Sequence, residues 1–159
     1  MLRIGQGYDA HRFGGTKPLI IGGVEVAHDQ GLLAHSDGDV LTHALIDALL
    51  GALALGDIGK HFPDTDTKYK GCNSLELLAV CLDKMRAANF QLVNLDLTLV
   101  AQVPKFSPYI TAMKETIAKI CAIDSGQVNV KATTTEGMGF EGRKEGIAAM
   151  AVVLLESSS

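Results

Sequence analysis

Asp9 and His11 stand two residues apart in the run Tyr8-Asp9-Ala10-His11. On an extended chain alternate side chains share a face, so this spacing sets a carboxylate beside an imidazole. A second imidazole, His43, belongs to the series Asp39, His43, Asp47, spaced four apart as one narrow polar stripe on an otherwise apolar helical pattern. One carboxylate and two imidazoles suit a catalytic zinc site, where three protein ligands leave a fourth position for water or substrate. A lone histidine on an apolar helix also serves as a hydrogen-bonded core residue. A metal is therefore implied only by the three together, and by His43 standing where an apolar residue would pack better.

Two further runs carry polar groups suited to phosphates. Ala34-His35-Ser36-Asp37-Gly38-Asp39 precedes a helix start, whose free N–H groups and positive end favour an anion, with His35 and Ser36 as added donors. The same Ser-Asp-Gly is also ordinary turn and capping chemistry. Lys131 to Phe140 reads as a strand entering a loop with Thr133, Thr134, Thr135 and Glu136, and Arg143 follows. Threonines alone suit a β-edge. Beside an acid and an arginine they suggest a phosphate-and-metal clamp, because Mg²⁺ is commonly held by one carboxylate and substrate phosphates. Gln102-Val103-Pro104-Lys105-Phe106 leaves a strand in a proline loop that can offer backbone groups to a nucleobase, or simply connect elements.

The elements that must position these residues follow from hydrophobic period. A strand begins at Leu2 and is expected to break at Gly14-Gly15. Leu19–Ile21 and Val24–Val26 flank Gly22-Gly23 as a tight hairpin. Gly31 to Asp39 reads as loop. A helix over Asp39–Leu55 carries the polar stripe, with Ser36 and Asp39 spaced like a capping box. A second helix runs from Asn73 or Ser74 to Ala88, and a strand over Gln91–Val100 turns Val93, Leu95, Leu97 and Leu99 inward. A third helix covers Tyr109–Cys121 and a strand Val128–Thr133. After a loop to Gly146, Ile147–Leu155 is a strand apolar on both faces. This order predicts a single α+β sandwich domain over residues 1–156, a mixed sheet with helices on one face, and a disordered tail at 157–159.

Composition narrows the function. A chain of 159 residues, 47% hydrophobic, is one domain able to build a core without disulfides. A net charge of -4 argues against nucleic acid as a partner. Cys72, Cys81 and Cys121 are odd in number and lack CxxC spacing, which disfavours a disulfide framework or thiolate zinc. The start has no apolar stretch, and the apolar run Ala44–Leu55 is interrupted by Asp47 and too short for a bilayer. The expectation is a cytoplasmic protein with no membrane partner.

Taken in order, Gly7-Tyr8-Asp9-Ala10-His11, His35-Ser36-Asp37-Gly38-Asp39 with His43, Gly56-Asp57-Ile58-Gly59, Phe62-Pro63-Asp64-Thr65-Asp66, Ala101-Gln102-Val103-Pro104-Lys105, Lys131-Ala132-Thr133-Thr134-Thr135-Glu136, Gly139-Phe140 and Gly142-Arg143 resemble the 2-C-methyl-D-erythritol 2,4-cyclodiphosphate synthase family. The resemblance extends from about Arg3 to Leu155. It implies a ferredoxin-like sandwich assembled as a homotrimer with active sites between subunits. It implies cyclisation of 4-diphosphocytidyl-2-C-methyl-D-erythritol 2-phosphate with release of CMP, in the non-mevalonate route to isoprenoid precursors. On this resemblance Asp9, His11 and His43 would bind one Zn²⁺ per subunit and Glu136 a Mg²⁺ or Mn²⁺. His35 and Thr134 would donate to transition-state oxygens, and Ser36 would touch phosphate. Asp57, Ile58 and Gly59, with Phe62, Pro63, Asp64, Thr65 and Asp66, would line the erythritol pocket. Ala101, Gln102, Val103, Pro104, Lys105, Phe106 and Ser107, with Ala132 and Thr133, would hold the cytidine and its phosphates. Phe140 and Arg143 complete the implied substrate contacts. Separately, the last strand, apolar on both faces from Gly146 to Leu155, could in a trimer enclose an apolar channel for a prenyl diphosphate, with Arg143 and Glu145 near its mouth.

The residues by themselves leave two other outcomes open. The same three ligands could activate water in a phosphohydrolase, since zinc lowers the pKa of bound water to roughly 7. A trimer built on the last strand could also bind a nucleotide or isoprenoid without catalysis.

Overall fold

The first strand, β1 (Leu2–Gly15), lies directly on the first helix, α1 (Val40–Ala52). In this computed structural model, which describes residues 1–16 and 18–158, a Cβ added at Gly5 or Gly7 would stand 1.9 Å from the carbonyl oxygen of Ala48 or Ala44. Only glycine permits this approach, and it turns the odd-numbered face of β1, including Asp9 and His11, toward the helix. Almost every α1 residue is buried, His43 included.

The hairpin β2 (Leu19–Ile21) and β3 (Val24–Val26) forms as the glycine pair predicts. Two-residue β4 (Gly31–Leu32) precedes α1, and the four-residue helix α2 (Ile58–His61) follows it. Next come α3 (Ser74–Ala87), β5 (Phe90–Val100), α4 (Ile110–Cys121), β6 (Val128–Thr133), short α5 (Gly139–Gly142) and β7 (Gly146–Ser157). Single 3-10 turns occupy Thr67–Tyr69 and Ser125–Gln127. The main sheet runs β4-β1-β7-β5-β6, antiparallel except for the parallel pair β5 and β6. Its helix-covered face buries Leu95, Leu97, Leu99, Ala149, Ala151 and Val153. The opposite face leaves Leu2, Ile4, Tyr8, Met150 and Val152 exposed across paired β1 and β7.

Several local expectations change. Gly14 and Gly15 do not end β1: the strand continues through an irregularity between Phe13 and Gly15 and pairs with β4 inside the presumed loop. The cap of α1 is Asp39 itself rather than Ser36, because both Asp39 oxygens are engaged there. Asp39 is fully buried and accepts from the backbone of Gly22, Gly23 and Thr42 and from the Thr42 hydroxyl, at 2.7–3.0 Å. It thereby fastens the hairpin turn to the helix. Burial pushes its carboxyl pKa up against these four bonds. The helix also stops earlier than Leu55, where Ala54 takes a left-handed φ of 58°. In β5 a register shift between Leu92 and Asn94 brings Leu92 inward and leaves Val93 half-buried. At the end of the chain Ser157 belongs to β7 and the Ser158 N–H bonds the Asn89 carbonyl; Ser159 lies outside the described residues.

Candidate active site

Helix α1 docked on β1 brings His43 Nδ1 to Asp9 Oδ2 at 3.0 Å, His11 Nε2 to the same oxygen at 2.9 Å, and the two nitrogens to 3.1 Å of each other. Tetrahedral ligands ~2.0–2.1 Å from zinc stand about 3.3 Å apart, so this triangle is close to the size a cation needs. Two imidazole nitrogens and one carboxylate oxygen also suit zinc in chemistry. Asp9, His11 and His43 are the one such cluster among the described residues. Burial would raise the Asp9 carboxyl pKa, but hydrogen bonds and charges from His11 and His43 outweigh it and hold it far below the usual carboxylate range. Burial opposes a cationic His43, yet contact with Asp9 and the nearby charges of Asp39 and Asp37 raise its pKa.

The stripe on α1 divides into three tasks. Asp39 clamps the hairpin and His43 joins the triad. Asp47 accepts the Ile58 N–H at 2.9 Å, which sets the start of α2 beside the same cleft.

That cleft is lined by Asp9, His11, His35, Ser36, His43, Ile58, Gly59, Phe62 and Asp64. His35 Nε2 is buried there without a hydrogen-bond partner, alone in this among the described side-chain nitrogens and oxygens. Such an atom costs about 1–3 kcal/mol unless a ligand or water meets it. Asp57, Pro63, Thr65 and Asp66 do not line the cleft. Asp57 caps α2 through the Lys60 N–H, and Asp66 caps the 3-10 turn through the Lys68 N–H. Phe62 is a core residue set edge-on against Tyr69, with ring centroids 5.3 Å apart.

A second cleft gathers Ala101, Gln102, Pro104, Lys105, Phe106, Ser107, Ala132, Thr133 and Thr134. Val103 packs on the core instead. Cross-strand partners run Asp9 to Ala149, Ala149 to Leu99 and Leu99 to Ala132, so both clefts open along one row of the sheet. Three strand spacings separate them by about 14 Å. Glu136 is exposed on the loop beyond, at a left-handed φ of 53°. Gln102 Oε1 accepts the following Gly137 N–H at 3.2 Å, and Thr134 Oγ1 accepts the Glu136 N–H at 3.3 Å. Arg143 Nε donates to Glu145 at 2.8 Å. Phe140 lies in a recess with Ala10, His11, Arg12 and Glu145, which shares His11 with the first cleft.

The model of the YgbB family matches residues 2–156. The chain belongs to the YgbB family. It is 60% identical over 158 residues to the 2-C-methyl-D-erythritol 2,4-cyclodiphosphate synthase of Vibrio cholerae, covering 99% of this chain and 100% of that one. Its fold superposes on the bifunctional IspDF of Campylobacter jejuni with a TM-score of 0.95 and 49% identity, over 99% of this chain and 42% of that longer one. It also matches IspF of Plasmodium falciparum, solved as a CDP complex, with a TM-score of 0.87 and 35% identity over 99% and 97% of the two chains. The chain is thus an enzyme of the cyclodiphosphate synthase, lyase-type class.

Some side chains of the site escape sequence reasoning. Tyr69, Cys72 and Leu77 line the first cleft, and Ser74 and Asp37 stand behind His43. Ser74 and Asp37 read in the sequence only as capping and turn residues. No helix among the described residues is long and apolar enough to cross a membrane.

Proposed function

We propose that this chain cyclises 4-diphosphocytidyl-2-C-methyl-D-erythritol 2-phosphate to 2-C-methyl-D-erythritol 2,4-cyclodiphosphate and CMP, as a cytoplasmic step of non-mevalonate isoprenoid precursor synthesis. The observation that carries this is the convergence of Asp9, His11 and His43 beside the unpartnered His35 Nε2. Asp9, His11 and His43 would hold Zn²⁺, and Glu136 would hold Mg²⁺ or Mn²⁺ together with substrate oxygens; bound there, the cations neutralise phosphate charge.

The remaining work falls to the chain and to the substrate itself. The substrate's 2-phosphate oxygen forms a bond to the β-phosphorus as the bond to CMP breaks, and CMP leaves with the electron pair. Nucleophile and electrophile belong to one molecule, so holding them in line removes much of the barrier. Ile58, Gly59 and Phe62 shape one end of that pocket, while Ser36 and His35 donate to phosphate oxygens. Across the sheet, Ala132, Thr133 and the 101–107 loop would receive the cytidine, with Thr134 donating to an oxygen that gains charge. No protein nucleophile is needed. Burial pushes the Cys81 thiol up to about 11 and the Cys121 thiol up to about 12, which leaves both unreactive.

A homotrimer would bring the first cleft of one subunit to the second cleft of its neighbour, since about 14 Å of sheet separates them within one chain. Exposed Ile4, Tyr8, Met150 and Val152 supply an apolar surface for such an assembly. In it the outward faces of β7 would enclose a channel suited to a prenyl diphosphate, with the Arg143–Glu145 pair near the mouth. The test is CMP release from the diphosphocytidyl substrate with Zn²⁺ and Mg²⁺ present, run in ¹⁸O-water. Unlabelled cyclic product is expected; label in a phosphate would make the chain a hydrolase, and no turnover a binding module. Sedimentation should give three times 16.8 kDa, and a monomer would exclude shared sites.

A further inference from the structure

His43 Nε2, the ring nitrogen directed away from Asp9 and His11, meets two hydroxyls: Ser74 Oγ at 2.8 Å and Ser36 Oγ at 3.0 Å. A neutral imidazole that offers Nδ1 to a cation carries its proton on Nε2, so that nitrogen donates. It has one proton and two candidate acceptors.

The two hydroxyls differ in what stands behind them. Ser74 is fully buried at the first position of α3, and its Oγ also contacts Asp37 Oδ1. The Ser74 N–H donates to Asp37 Oδ2 at 2.8 Å, and the Asp39 N–H to Asp37 Oδ1 at 3.1 Å. The Asp37 N–H in turn bonds the Cys72 carbonyl at 3.2 Å. A carboxylate accepts only, so the Ser74 hydroxyl proton is committed to Asp37 and its lone pairs face His43. The chain has one direction: His43 to Ser74 to Asp37. Ser36 is half-buried, and among the described residues its hydroxyl has one other hydrogen-bond approach, from the Gly38 N–H at 3.5 Å. No carboxylate among the described residues bonds it, and it lines the cleft.

We infer, resting on the metal site proposed above, that Ser74 oriented by Asp37 is a positioning residue for His43. It holds the tautomer and ring orientation that point Nδ1 at Asp9 and His11, and it leaves the Ser36 hydroxyl free for a ligand in the cleft. Groups that orient a metal ligand in this way alter affinity by roughly 10–100-fold when removed.

The experiment compares Zn²⁺ affinity, by chelator competition, in wild type, Ser74→Ala and Ser36→Ala, with Co²⁺ absorption as a spectroscopic readout and the metal-free melting temperature as a check on folding. Ser74→Ala is expected to weaken Zn²⁺ binding by roughly 10–100-fold and displace the Co²⁺ bands, with Ser36→Ala within about twofold of wild type. Asp37→Asn keeps Ser74 in place, removes the carboxylate that orients it, and should weaken binding by roughly tenfold. Wild-type affinity and spectrum in Ser74→Ala or in Asp37→Asn would overturn the inference while leaving the metal site standing. An equal loss in Ser36→Ala would overturn it too. Wild-type protein that takes up no Zn²⁺ would remove the metal site and this inference with it.

Discussion

The two clefts hold their side chains in opposite ways. Asp9, His11 and His43 come from β1 and α1, whose backbones touch at Gly5 and Gly7, and each donor atom lies within 3.1 Å of the next. Thr134 and Glu136 ride on an exposed loop past β6, tied by bonds of 3.2 and 3.3 Å, with Glu136 in a conformation unusual for a side chain of its size. The contrast suits the donor roles proposed above. Imidazoles that take a cation from water need to be assembled beforehand, which packed elements do well. A carboxylate whose partners arrive with the substrate can wait on a loop.

His43→Ala attacks the packed cleft most directly. Zinc content should fall to near zero, and turnover roughly 10³-fold or more, because a lost Lewis acid removes several kcal/mol of charge stabilisation. The metal-free protein should stay folded, with its melting temperature lowered by a few degrees through loss of the Asp9 contact. A variant that unfolds, from wild type holding no zinc, would make His43 a core histidine. Metal analysis and CMP release decide the matter.

Glu136→Gln probes the loop. Zinc content should stay at the wild-type level while turnover falls roughly 10²-fold and the Mg²⁺ titration moves to higher concentration. Loss of zinc here, or an unchanged Mg²⁺ dependence, would overturn the proposed division of labour between the clefts.

Asp39→Ala separates stability from chemistry inside the packed region. It strips the cap of α1 and leaves the Gly22 and Gly23 N–H groups without their acceptor. Denaturant unfolding should show a loss of about 2–4 kcal/mol, while the folded protein still binds one zinc. A simultaneous loss of zinc would show that the hairpin clamp and the triad act as one unit.

The smallest effect concerns pH. The raised His43 pKa stabilises metal-free protein below the unfolded value of ~6.5, and that contribution is lost as pH climbs through the folded value. The depressed Asp9 pKa acts in the other direction, contributing above ~3.9 and fading as pH falls toward its folded value. Metal-free melting temperature should therefore be highest between about pH 4 and 6.5 and drop by a few degrees above that. Added Zn²⁺ should reverse the upper slope, because the cation needs unprotonated ligands. Parallel pH profiles with and without zinc would contradict the assignment of His43 as a ligand.

Much of the architecture is legible in local pattern. The glycine-paired hairpin, the three long helices and the parallel strand β6 stand within a few residues of where the hydrophobic period places them. The misses occur where pairing partners are distant: β4 became a strand only through its contact with β1, and the shift at Val93 depends on how β5 registers on β7. At the site, Asp57 and Asp66 carry a structural task beside the pocket role that the resemblance implies, each capping a short turn through one carboxylate oxygen. Both tasks suit the same residue type, so the spacing alone shows neither.

By itself the sequence determined that Asp9 and His11 share a face and that Asp39, His43 and Asp47 share a stripe, because strand and helix periods depend on the backbone alone. Only the tertiary structure decided that these two faces meet. The docking of α1 on β1 is set by two glycines that admit the helix backbone and by a core that many residues build jointly. The same long-range packing placed Ser74 and Asp37 behind His43 and spaced Asp9 from Ala132 across two intervening strands. Such distances arise between elements far apart in the chain, where no local period carries them.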